Sequence, residues 1–562
     1  MRDLARRAAV IAALALAATL TGCASIPTSG NVNAGVARPA EEPVDLDVLV
    51  RQPQGGETQQ QILEGFIEAA ASPRGNYDIA REYLTPAFAS EWAADAGTTI
   101  DVLADRTFNQ FGERGIRVQV VPSGSLAPNG QYLESATTAP VQLQYEFEQV
   151  DGEWRISAAP PGLLVDETTF QIVYRDYTLA FFDPQYRFLV PDVRWFAGRE
   201  SAQTSIVRAL LAGPAEWLAP AVVSAIPEDV TLDPATVPVT DGVAEVSLVG
   251  AAFDNLLTVQ RMQYQLEQSL AGVRNVRNVE LALNGAPVEA PDLAQEPQRT
   301  LRIDPRPVVY DGEAFGFLSG GDELSPVPGI SEQVVALEPT GAALGPRDDA
   351  AAVRAADGVW LVRPDEEPVL LDPRDGLVVP ALDIDDVVWS VPGDAPDALA
   401  WFAVDGSAAG EQIPVPWSGS RIAAIELSRD GTRLAALLAD GARSRVVVAS
   451  VQRDEAGLPV ALGPVVLELA GAVGEPLDLA WLDSGSIGVL TASASGARVG
   501  LQEVGAPDTA GEGPEGAVQL DGANSQRDLR VLTSDGDLAT RAGATWQVQD
   551  RGIRFLATQQ SG

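Results

Sequence analysis

Leu20-Thr21-Gly22-Cys23 is the one place in the chain where residue types and spacing specify a covalent reaction. These residues follow a charged tip, Arg2 with Arg6 and Arg7, and an apolar run from Ala8 to Leu20, and they hold the only cysteine among 562 residues. The run falls short of the roughly 20 apolar residues that a membrane-spanning helix needs, but it has the length of a signal-peptide core. Small residues leading straight into a thiol form a lipoprotein signal. The predicted chemistry is cleavage between Gly22 and Cys23, an S-diacylglycerol thioether on Cys23 and acylation of the new amino terminus. Residues 1–22 are then the signal peptide. Arg6-Arg7 lacks the polar and bulky neighbours of a twin-arginine signal, so ordinary Sec export is expected. The alternative is a secreted protein with a chance cysteine near its cleavage site. Two or three acyl chains, at about 0.8 kcal/mol per buried methylene, make a stable anchor to the outer face of the cell membrane.

No second set of residues offers a nucleophile with its base. The chain has no histidine, which excludes Ser-His-Asp and Cys-His centres and His-ligated zinc or iron. With Cys23 committed to lipid there is no disulfide. Lys+Arg 38 against Asp+Glu 78 gives a net charge of −40, and every basic side chain is arginine. Such a field repels nucleic acid and anionic headgroups, so neither is an expected partner. No catalytic residue, cofactor or metal site is predicted. Asp383-Ile384-Asp385-Asp386 lacks the glycine and distal glutamate of an EF-hand loop and reads as a solvated acidic turn. Carboxylate-pair chemistry survives these exclusions. That keeps open a cell-wall glycan-binding protein or carboxylate-dependent glycosidase as the alternative to a non-enzymatic module.

Residues 23–57, rich in Pro, Gly, Ser, Asn and acids with no sustained apolar period, read as a flexible tether. In 58–165, Ile62, Leu63, Phe66, Ile67 and Ala70 recur at helical spacing and a second short helix runs near Tyr77 to Leu84. Alternating strands follow at Ile116–Val120, Val141–Phe147 and Trp154–Ile156. This order predicts an α+β unit. Residues 166–300 begin with apolar strand-like pieces through Trp195. They continue with a helix over Ser201–Leu211, a strand at Val243–Leu248, a helix over Thr258–Leu270 and a strand from Val276 to Leu283 that ends at the turn Asn284-Gly285, an α/β order. In 301–562 helical periodicity is lost. Short apolar strands recur there with turns at Asp357-Gly358, Asp405-Gly406, Asp430-Gly431, Asp483-Ser484-Gly485 and Asp535-Gly536. This pattern predicts a β-propeller of five to six blades, the rival being a pair of β-sandwiches. Trp389 and Trp481 are expected to pack between blades.

Three stretches resemble known modules. Ala80–Thr85, Trp92 and Gly152–Ile156 resemble the cone-shaped α+β domains related to nuclear transport factor 2. Leu210–Pro214, Ala225-Ile226-Pro227, Ala244–Leu248 and Val279–Gly285 resemble the GerMN domain of germination and envelope proteins. The whole chain resembles the LpqB family of actinobacterial lipoproteins. That match is carried by Gly22–Pro27 with Ser29-Gly30, by Leu189-Val190-Pro191-Asp192 and by Leu427-Ser428-Arg429-Asp430-Gly431. The family resemblance implies an outward-facing accessory lipoprotein of the MtrA-MtrB two-component system. It would act on the extracytoplasmic domain of the sensor histidine kinase and influence envelope homeostasis and cell division. It transfers Cys23 as a functional residue and names no kinase-contacting side chain and no small-molecule ligand.

Overall fold

The structure is a computed structural model. It describes residues 50–562 apart from short stretches at 136–138, 198–201, 251–252, 320–323 and 472–473 and positions 408, 442, 544 and 562. Val48–Gly562 form one compact unit. The chain is multidomain, with α+β modules preceding an all-β propeller.

The first helix, Gln59–Ala70, starts at Thr58 with a reciprocal capping box to Gln61, which satisfies two of the orphan amides at a helix start. Its periodic residues Ile62, Leu63, Phe66 and Ile67 are buried under two four-stranded sheets. One sheet is ordered 132–134, 122–126, 98–101, 163–166 and the other 107–111, 115–120, 141–150, 153–158. Gly65 is there because of a close approach: a Cβ would sit 2.6 Å from the Tyr83 ring. The second helix is shorter than its apolar pattern, Asp78–Glu82.

A long antiparallel hairpin, Tyr174–Phe182 with Leu189–Ala197, leads to the next module. There the strands Val243–Val249 and Asn278–Leu283 run parallel, joined by the helix Leu256–Leu270, a βαβ crossover. Met262, Leu266 and Leu270 point into the core at zero exposure.

Six four-stranded blades follow among the described residues. Blades 3 to 6 are single sheets starting at Ala381, Arg421, Glu475 and Ala517. Blade 2 starts at Gly341. Blade 1 takes three strands from 308–325 and its innermost strand from the far end of the chain. Phe555–Gln559 pairs antiparallel with Val308–Tyr310 and parallel with Gly341–Leu344. That late strand closes the ring and leaves no long exposed edge. Many propeller strands are buried on both faces, as at Leu434–Leu438 and Val446–Ala449, which is why the sequence shows apolar runs there rather than alternation. Trp389 is fully buried in a cluster shared by blades 3 and 4, and Trp481 lies in one that includes residues of blades 4 and 5. Each of the five Asp-marked turns joins two strands of one blade. One expectation fails: a short helix, Ser331–Ala336, interrupts the all-β region. Its six residues are too few to display a helical period.

Candidate functional site

Gly22 and Cys23, the predicted cleavage and lipidation residues, lie outside the described residues. The described body offers joints that fix its modules, a set of buried acids on the first strands of blades 4 to 6 and a charged cleft on the blade turns.

The first joint is Asp192, at the end of the Leu189–Asp192 motif. Both carboxylate oxygens accept from Arg194, at 2.8 and 2.7 Å, and Oδ2 also takes the Ala215 amide at 2.8 Å. Arg194 reaches on to the Asn129 carbonyl at 3.0 Å, so one buried pair ties the hairpin to the modules on either side. Next to it the Trp195 amide donates to the Gly130 carbonyl, and its indole N–H donates to the Gly505 carbonyl of blade 5 at 2.9 Å.

The second joint corrects the reading of the acidic turn. Asp383 is fully buried rather than solvated. It accepts from the Asp385 and Val387 amides, the Trp389 indole and Arg453. Asp385 accepts two hydrogen bonds from Arg187 of the hairpin, at 2.6 and 3.2 Å. The turn therefore neutralises two arginines that arrive from distant parts of the chain. No metal-holding cluster of acids exists among the described residues.

Between the joints the α/β module and the propeller share one hydrophobic cluster. It runs without a break from Leu210, Trp217 and Met262 to Val446, Val448 and Trp481.

The Leu427–Gly431 motif holds the propeller from within. Arg429 donates to the carbonyls of Leu301 and Ala523 and to Asn524 Oδ1, joining blade 4 to blade 6 and to the segment entering the propeller. Asp430 accepts from Ser428, Thr432 and Arg433, and the Arg433 guanidinium lies 4.9 Å from the Trp481 ring centroid.

Among the first strands of blades 4 to 6 lie the carboxylates that a glycosidase reading would use. Burial pushes the Asp478 carboxyl up to about 7 and the Asp521 carboxyl to about 6, and drives Glu426 well above the usual carboxylate range. Asp478 accepts the Leu479 and Leu520 amides, and Asp521 pairs with Arg530 at 3.3 Å. These two therefore bind neighbouring strands and blades together. Glu134 and Glu503 are likewise raised by burial, each to about 7.

Groups raised in this way make the folded state bind more protons than the unfolded state between roughly pH 4 and 7, so stability falls as pH rises through that window. The thermal midpoint should be higher at pH 6 than at pH 8, and Asp478→Asn should flatten the slope. Scanning fluorimetry across that range checks both.

The remaining feature is a cleft of about 420 Å³ over the turns of blades 2 to 4, lined by Arg347, Arg363, Asp386, Asp405 and their neighbours. Sequence reading missed it, because its walls come from five separate turns and no local motif marks them.

These observations define a class: a multi-module propeller protein whose α/β module shares a core with the blades and whose hairpin is held to them by the Arg187–Asp385 pair and the Trp195 indole. A model for the LpqB N-terminal domain matches residues 52–171, one for sporulation and spore germination matches 177–289, and one for the LpqB beta-propeller domain matches 317–554. The chain belongs to the LpqB lipoprotein family. Relatives named Lipoprotein LpqB are 26% identical in Thermobifida fusca (88% of this chain, 88% of the relative). The same identity holds in Corynebacterium jeikeium (92% and 87%) and Mycobacterium bovis (83% and 85%). No helix among the described residues is long and apolar enough to cross a membrane.

Proposed function

We propose that this protein is a lipid-anchored, non-enzymatic accessory of a two-component sensor histidine kinase, held at the outer face of the cell membrane through Cys23. Membership of a lipoprotein family carries the anchor. The observation that carries the accessory role is the fusion of the germination-type module to the propeller through one core, which makes the body a rigid presenting surface. A tethered body faces a membrane partner at an effective concentration in the millimolar range, so a weak contact is occupied. For occupancy to change kinase output the contact must favour one signalling state, because a ligand shifts an equilibrium only by its differential affinity. The kinase is of the MtrB type, with envelope homeostasis and cell division downstream. Against the glycosidase alternative, Asp478 and Asp521, two of the three raised carboxylates, spend oxygens on backbone amides and Arg530.

Cys23→Ala tests the anchor. Fractionation should move the protein from the membrane to the soluble fraction, and unchanged membrane retention would refute this reading. Deletion of the protein should alter phosphorylation of the partner response regulator, and an unchanged level would remove the accessory role.

A further inference from the structure

We infer that the joint where the hairpin and the N-terminal module meet blade 5 is a pH-gated hinge, closed in acid and released as its carboxylates ionise. The inference rests on this interface and is independent of the accessory role.

The joint is built on a stack of rings. Phe170, on the short helix Glu167–Val173, lies 4.9 Å from the Trp195 ring, 5.1 Å from Tyr174 and 6.1 Å from Tyr132 of the N-terminal module, centroid to centroid. From this stack the Trp195 indole reaches the Gly505 carbonyl of blade 5 at 2.9 Å. Carboxylates surround that contact. Asp176 is directly opposite Trp195 in the hairpin, so the two side chains share a face. Glu503 ends the blade 5 strand just before Gly505, and Asp508 follows just after it. Glu134, near Tyr132, accepts from its hydroxyl at 3.1 Å.

Like charges therefore meet across the joint. Glu503 faces Asp176 of the hairpin and Asp483 of its own blade. Glu134 faces Asp508 of blade 5 and Glu167 of the short helix, besides the Tyr132 hydroxyl, which burial keeps protonated. Arg498, itself exposed, is the cation that acts on Asp508. Arg175, next to Asp176, gives its NH1 to the carbonyls of Gln171, Ile172 and Tyr174. Among the described residues none of Glu134, Asp176, Glu503 and Asp508 makes an ion pair. Burial, and then the facing carboxylates, push Glu134 and Glu503 up to about 7 each. Opening the joint returns both to water, where a glutamate titrates near about 4.3. The closed form thus binds more protons than the open one. Its advantage is whole below about pH 4 and is lost as pH rises through 7. The other end of the hairpin lacks this weakness, because Arg187 pairs with Asp385 there and Phe181 and Phe182 lie in the shared core. The N-terminal module is the part that swings, and opening uncovers the aromatic stack.

The test is fluorine NMR of the detergent-solubilised full-length protein labelled with 5-fluorotryptophan, the Trp195 signal being assigned by its loss in Trp195→Phe. Between about pH 5.5 and about pH 8 a second, solvent-exposed Trp195 signal should grow, raising the open-to-closed ratio at least tenfold, while the Trp389 signal in the core of blades 3 and 4 stays put. Glu134→Gln with Glu503→Gln should hold Trp195 in its closed signal at pH 8. Asp176→Asn and Asp508→Asn, exposed changes that leave the fold alone, should each lower the open population at pH 8, and they decide the matter if the double variant does not fold. The distant Asp535→Asn should behave as wild type. A Trp195 signal indifferent to pH, a pH response equal to wild type in the carboxamide variants, or a Trp389 signal that changes in step with Trp195 would overturn the hinge.

Discussion

Asp430→Ala should destabilise the propeller by about 3–5 kcal/mol, the cost of leaving one member of a buried ion pair without its partner. Arg433 has zero exposure. Its NH2 donates to Asp430 Oδ2 at 2.5 Å and to the Ser484 carbonyl at 2.8 Å, while Nε and NH1 make no hydrogen bond. The substitution thus removes the only anion, among the described residues, paired with a fully enclosed guanidinium and also frees the Thr432 amide. Burial by itself would raise the Asp430 carboxyl; Arg433, Thr432 and Ser428 override that and hold it below the usual range. A lowered carboxyl stabilises the fold above its unfolded value, so this contribution is present at neutral pH and disappears below about pH 4. Urea denaturation at pH 7, followed by tryptophan fluorescence because Trp481 lies under Arg433, measures the loss directly. The gap between wild type and variant should narrow as the buffer is acidified.

Asp192→Ala should cost a similar amount, about 3–5 kcal/mol, with a different consequence. Arg194 is fully enclosed, and without Asp192 it keeps only the Asn129 carbonyl, while the Ala215 amide loses its acceptor. Because these contacts reach the modules on either side of the hairpin, loosening should spread along the hairpin and its neighbours rather than stay local. Hydrogen exchange should rise at Asn129, Ala215 and the 189–197 strand. Asp304→Ala is the contrast. Its pair with Arg306 is open to solvent, 31% and 42% exposed, and exposed pairs contribute about 0–1 kcal/mol.

What could be read in advance followed the range of the interactions. The helix at Gln59–Ala70, the crossover helix ending at Leu270 and the tryptophans between blades are written in local spacing, and the structure has them. Blade number stayed at five or six because the deciding strand, Phe555–Gln559, pairs with Val308–Tyr310 at the opposite end of the propeller. The acidic turn at Asp383–Asp386 looked solvated because its cations, Arg453 and Arg187, are 70 and 198 positions away. The motifs Leu189–Asp192 and Leu427–Gly431 stood out as family marks with no visible purpose. In the fold they are the joint between modules and the lock of the propeller, since Asp192 takes the Ala215 amide from another element and Arg429 reaches the Leu301 and Ala523 carbonyls. The cleft was invisible for the same reason, its charged walls being contributed by turns of three blades.

The most direct test of the proposed role is association between the lipidated mature protein and its partner sensor's extracytoplasmic domain, both held on the same nanodiscs and read by energy transfer between labels. The predicted result is saturable association that weakens when Cys23→Ala frees the body from the lipid surface. If no association develops with the anchored protein at any density, the accessory role is contradicted.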